Sequence, residues 1–179
     1  QDSLCATLMQ SAYVLEACHL RDAGYTLEKA ASVLSELRST ARILFTVGSL
    51  DYIQHGGRIG KMTGIAGTLL QIKPLITLQD GEIHSSGIRR GRRRSIEGVV
   101  DLLVSYLRDN DLTPSDCHIL AGYGYDREEA ERFRSLTKSR LLSEFGQTFY
   151  LPLFQIGATI GVHAGPYSIG FGVIQKSRL

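Results

Sequence analysis

Tryptophan is absent, cysteine occurs 3 times and proline 4 times in 179 residues. The cysteines are odd in number and none forms a C-x-x-C pair. Cys5, Cys18 and Cys117 therefore supply neither a disulfide framework nor a zinc cluster, and read as reduced thiols of a cytosolic protein. Long apolar runs are lacking too. A membrane-spanning helix needs about 18–20 predominantly apolar residues, and the best stretch, residues 69–78, is broken by Gln71, Lys73 and Pro74. Nor is one sign of charge in surplus. The 20 Lys+Arg and 18 Asp+Glu leave +2, too little for a bulk polyanion binder. The opening residues carry no basic-then-apolar leader pattern. The chain starts at Gln1 without methionine and passes straight into helical periodicity, which reads either as a trimmed start or as sequence missing upstream.

What is present is an ordinary globular composition, 43% hydrophobic and 21% charged. That much apolar material excludes intrinsic disorder. The length suits one domain, or one and a fraction, with a sizeable core.

Leu4, Leu8, Ala12, Leu15 and Cys18 recur at helical spacing and predict a helix over 3–22, with Gly24 just past its end. Thr26 opens a second helix whose inward stripe is Ala30, Val33, Leu34 and Leu37. A buried strand is expected at 43–47 and a short helix at 49–54. A strand at 73–78, with Pro74 near its beginning, turns at Asp80-Gly81 into a polar return strand at 82–86. Ile96, Val99, Val100, Leu103, Tyr106 and Leu107 predict an amphipathic helix over 94–108. Thr113-Pro114 leads into a strand at 117–121. Asp126 caps a charged helix that ends near Phe145, with Ala130, Phe133, Leu141, Leu142 and Phe145 inward. Strands are expected at 148–155, 159–163 and 168–174. Helices mixed with hairpin-joined strands indicate a mixed α/β (α+β) fold.

Enzyme signatures nearly form and then fail. The stretch from Gly56 to Lys61 approaches a phosphate loop, but His55 takes the first glycine position and Met62 the magnesium-binding one. Gly122-Tyr123-Gly124 has Arg127 where a dinucleotide fingerprint needs its third glycine. Pro166 replaces the first glycine of a nucleophile elbow around Ser168. The 5 histidines lack paired-ligand spacing. No catalytic residue, cofactor or metal site is expected.

Three features remain. Gly56-Gly57-Arg58-Ile59-Gly60 lets backbone approach an anion beside one fixed cation, or makes a tight helix connection with Arg58 on the surface. His163 ends an expected strand ahead of Gly165-Pro166, and either donates to a carboxylate or bonds backbone in the core. Arg89, Arg90, Arg92, Arg93 and Arg94 crowd residues 89–94. They form a phosphate or acidic-partner site, or a solvated loop running into a helix. No aromatic interrupts them, so single strands find no stacking platform. Arginines at a helix start also oppose the macrodipole.

Several blocks stand in a specific order. Leu50-Asp51-Tyr52-Ile53 leads into Gly56-Gly57-Arg58-Ile59, and Gly67-Thr68-Leu69-Leu70-Gln71-Ile72-Lys73-Pro74 into Asp80-Gly81-Glu82. Ile156-Gly157, Ile160-Gly161 and His163-Ala164-Gly165-Pro166 close the series. Together they resemble the DegV family of bacterial fatty-acid-binding proteins, across nearly the whole chain but only the C-terminal portion of a family member. The resemblance implies an antiparallel-rich sheet flanked by helices at 41–179. It implies that 1–40 is a helical segment bordering a smaller N-terminal α/β domain absent from the chain.

The implied function is a carrier that buries a long-chain fatty acid and presents its carboxylate to a separate fatty acid kinase, which makes acyl phosphate for phospholipid synthesis. The family's carboxylate-holding serine and threonine residues belong to the absent portion. Carried over are His163, Gly165, Pro166 and Tyr167 around the carboxylate. Gly57, Arg58 and Ile59, with Arg89 and Arg90, fall at the pocket mouth or the kinase-facing surface. Tyr167 stands where the family has a second glycine, and either adds a hydroxyl or narrows the site. Transient membrane contact and self-association through an open trough fit this reading, and nucleic acid does not. The alternative is polyanion or nucleic-acid binding through residues 89–94. A hydrolase using His163 as base lacks a nucleophile.

Overall fold

Largely apolar runs form strands β1 (Arg42–Thr46), β2 (Ile72–Gln79), β4 (Cys117–Tyr123), β5 (Leu153–Gln155) and β6 (Ile169–Gln175), and the polar β3 (Glu82–Arg90) is drawn in by its hairpin with β2. The computed structural model describes residues 2–58 and 72–177. Its strands lie in one sheet in the order β3-β2-β1-β6-β4-β5. Only β4 and β5 run parallel. They are joined through helix α5 (Arg127–Phe145), because parallel neighbours need a crossover. The β2–β3 hairpin closes at Asp80-Gly81 as expected, with φ of 52° and 80°, the paired positive values of a type I′ turn. This mixed α/β sheet flanked by helices is the fold class the sequence indicates.

The pleat sorts each strand between two faces. Leu44, Ile119, Ala121, Phe171 and Val173 point to one face and build the main core with α4 (Arg92–Asp109) and α5. The Phe133 and Phe171 rings lie 4.6 Å apart there. Ile43, Leu120 and Ile174 point to the other face, where Leu8, Met9 and Ala12 of α1 (Thr7–Asp22) cover them. Gly172 permits that approach, since a Cβ added to it would lie 2.9 Å from the Met9 backbone nitrogen. Helix α2 (Leu27–Leu37) packs on α1. Helices α3 (Asp51–His55) and α6 (Ala158–Ala164) cover a neighbouring patch through Ile53 and Ala164, against Val47 and Ile76.

Side-chain caps fix the starts of α2 and α5. The Thr26 hydroxyl accepts from the Lys29 N–H, and the Asp126 carboxylate accepts from the Glu129 N–H at 2.9 Å. Four expectations change. Residues 159–163 are not a strand but the body of α6. Its β-branched residues favour a strand, yet Ile160 and Ala164, one helical turn apart, both reach the Val47 cluster. His163 therefore ends a helix. Of 148–155 only the last three residues are strand. The return strand runs on to Arg90, because β2 already begins at Ile72 and gives Arg89 and Arg90 partners. Those two arginines are thus on a strand, and the next three open α4. Leu15 of α1 and Leu142 of α5 face outward, whereas Met9 and Tyr13 face in. Among the described residues no helix is long and apolar enough to cross a membrane.

Candidate functional site

The start of α1, the β2–β3 hairpin, α3 and α6 leave part of one sheet face between them. The result is a trough of about 450 Å³, within the usual span of about 300–1,000 Å³ for small-molecule sites. Ile43 and Phe45 of β1 and Phe171 of β6 line it from the sheet, and Leu8, Ile53 and Ile160 from the helices. It is predominantly apolar because Ile43, Phe45 and Leu78 lie on the face that the pleat turns away from α4 and α5, and Phe171 and Ile169 of the main core reach it from β6.

Arg58, His163 and Ser168 bring polar groups to this lining. Helices α3 and α6 lie side by side, so the two segments singled out in the sequence meet through their C-terminal ends. A Cβ added to Gly56 would sit 2.8 Å from His163 Nδ1. Gly165, at φ 79°, turns the chain out of α6 beneath the Tyr52 ring, which leaves no room for a side chain there. His163 Nδ1 and Ser168 Oγ are both buried and have no hydrogen-bond partner among the described residues. An unsatisfied buried polar group costs about 1–3 kcal/mol, so both atoms are placed to gain from a polar ligand group. The Arg58 guanidinium is exposed and donates to the Gly56 carbonyl, which holds it near the end of α3.

The residues singled out in the sequence separate into three groups. Gly57, Arg58 and His163 line the trough. Gly165, Pro166 and Tyr167 form a turn beside it, where the Pro166 carbonyl accepts from the Tyr125 N–H at 2.7 Å and Tyr167 packs on Gly48, 48% exposed. Ile59 lies outside the described residues, as do 60–71. Arg89 and Arg90 stand at the far end of β3 from the hairpin. Ile83, which lines the trough, is six residues from Arg89, or roughly 20 Å along a strand. The arginine run is not one open cationic patch either. Arg92 makes a two-pronged pair with Glu129, at 2.9 and 2.5 Å, and Arg93 bonds Glu97 at 2.9 Å.

Ser168 is the lining residue that its motif context hides. Considered as a nucleophile it fails, and only its 2% exposure without a partner marks it as a ligand group. The half-buried Cys5 and the buried Cys117 are both held toward the thiol form. Burial, reinforced by Asp2 and Asp80, pushes Cys5 up to about 11, and burial with Asp116 pushes Cys117 to about 12.

Such a trough has the form of an amphiphile site: a long apolar floor on the sheet, the buried polar atoms of His163 and Ser168 in its lining, and the exposed Arg58 at its edge. Comparison with known proteins agrees with this shape. A DegV domain-containing protein of Clostridium acetobutylicum is 28% identical over 176 residues, which are 98% of this chain and 59% of the relative. A stearic-acid-binding protein from Eubacterium ventriosum superposes with a TM-score of 0.84 at 36% identity, over 98% of this chain and 58% of that one. A fatty-acid-binding DegV family protein from Thermus thermophilus gives 0.81 at 26% identity, over 98% and 60%. The chain thus spans about three-fifths of the length of these relatives. The family model described as an uncharacterised protein of the DegV family matches residues 1–176, and with that match running almost end to end, this chain belongs to the DegV family.

Proposed function

We propose that this chain is the larger part of a fatty-acid carrier. One observation carries the reading: an apolar trough whose lining includes His163 Nδ1 and Ser168 Oγ, both buried and without a partner among the described residues. A fatty acid is one anion on a long apolar tail. Each buried methylene contributes about 0.8 kcal/mol, so some fifteen carbons gain on the order of 10 kcal/mol. A few polar groups then suffice to orient the head. The stearic-acid-binding relative supports the same ligand class.

In this reading residues 1–40 border a second, smaller domain that closes the trough and adds serine and threonine donors to the carboxylate. Residues 41–179 supply the sheet, the trough and the His163–Tyr167 turn. The carrier works in the cytoplasm and contributes no catalytic residue. It presents the bound carboxylate to a separate ATP-dependent fatty acid kinase, whose acyl phosphate feeds phospholipid synthesis. Gly57 and Arg58 face that partner, with Arg89 and Arg90 as an outlying contact. Without the second domain the trough is open to water and drives self-association.

Organic extraction of the purified two-domain protein followed by mass spectrometry tests the ligand. One long-chain fatty acid per protein is expected. An extract free of lipid, together with no uptake of added fatty acid, overturns the reading. Arg58→Ala is expected to weaken kinase-dependent phosphorylation of the bound acid while leaving lipid content intact. Parallel loss of both refutes the partner-facing role.

A further inference from the structure

The fold gathers a second constellation, away from the trough. Glu16 and His19 lie one turn apart on α1, so their side chains share a face. His118 comes from β4, on the strand face that the pleat turns toward α1. We propose that Glu16, His19 and His118 form a divalent transition-metal site, of the zinc class, that pins α1 to β4.

The geometry is close to a coordination sphere. Glu16 Oε2 lies 2.6 Å from His118 Nε2 and 3.6 Å from His19 Nδ1, and one donor atom from each residue falls within 4.8 Å of the others. Metal bonds of about 2.0–2.2 Å in a tetrahedron space their donors roughly 3.3–3.6 Å apart. The Glu16–His118 contact therefore opens by less than about 1 Å, as an ion replaces the proton between the two. Two imidazoles and one carboxylate suit zinc or a neighbouring late first-row metal, not magnesium or calcium. Three protein ligands leave one position for water.

The surroundings are those of a built site. Glu16 is 1% exposed, a rare placement for a carboxylate, and its other oxygen accepts from the Ser177 N–H at 2.7 Å. Such an outer contact fixes a ligand's orientation. His19, with its side chain 53% exposed, is the open side through which an ion enters. Glu16 stands eight residues beyond Leu8, which lines the trough, or about 12 Å along the helix. One helix thus forms a wall of the trough and holds the ion.

The test is titration of the chelator-treated chain with Zn²⁺ by calorimetry and with Co²⁺ by visible absorption. One ion per chain is expected, with the intense ligand-field bands of tetrahedral cobalt. His19→Ala changes an exposed side chain and leaves the fold intact by circular dichroism. It is expected to weaken binding at least about tenfold. Glu16→Gln is expected to abolish the cobalt bands, and His84→Ala, an exposed histidine on β3, to change nothing. The proposal is overturned by a wild-type chain that binds no stoichiometric ion, or by His19→Ala binding as tightly as wild type. The second result would reduce the cluster to a structural ion pair. Neither depends on lipid, so the carrier reading stands or falls separately.

Discussion

His163 and Ser168 have buried polar atoms without partners among the described residues, and that makes them the most informative side chains in the trough. A hydrogen bond to a charged group contributes about 1.5–3 kcal/mol. His163→Ala is therefore expected to weaken fatty-acid binding by the two-domain carrier roughly tenfold to a hundredfold, as read by displacement of a fluorescent fatty acid. An unchanged affinity would place the carboxylate elsewhere. Of these groups the sequence identifies His163, through a local block that resembles a family. It assigns His163 to a strand, because seven residues rich in β-branched side chains fit either period. Ser168 carries no local signal, since a serine before an apolar strand is ordinary until the fold buries it. Glu16 and His118 are 102 positions apart, beyond the reach of any spacing rule, although Glu16-x-x-His19 alone is a helical ligand spacing.

Helix and turn ends are where local chemistry decides the structure, and there sequence and fold agree best. Thr26, Asp126 and Asp80-Gly81 act at the positions expected of them. The Asp126 cap serves a helix of 19 residues that carries three charged residues in its first turn, Arg127, Glu128 and Glu129. Asp126→Ala is expected to destabilise the chain by about 1 kcal/mol, while Asp126→Asn, also a good cap, leaves stability nearly unchanged. Urea denaturation checks both. Equal losses would assign the effect to charge and not to the cap. Failures of the reading concentrate where packing decides. Helix α1 buries Met9 and Tyr13 and exposes Leu15, because Gly172 draws the helix backbone onto the sheet and so sets its rotation.

Across the whole molecule, the strand order is the least legible property. The sheet seats β6, the last strand, between β1 and β4. Pairings that distant leave no trace in a local pattern, and resemblance alone foretells the antiparallel-rich sheet. This order puts most of the trough on one face and the α4–α5 core on the other, with Phe171 and Ile169 of β6 shared between the two. Changes at Ile43 or Phe45 are therefore better separated from the main core than changes at Phe171.

The same order leaves β3 and β5 at the two margins. Strand β5 has only 3 residues, but β3 has 9, and a long unpaired margin is a template on which another copy can add a strand. Its composition opposes that outcome. Glu82, His84, Arg89 and Arg90 are all exposed along it, Gly87 breaks its extension with φ 122°, and its register with β2 slips at Leu75/Ile76. The arginines that end β3 thus have an expected effect that needs no partner: on this margin of the described sheet they disfavour addition of a strand from a neighbouring copy.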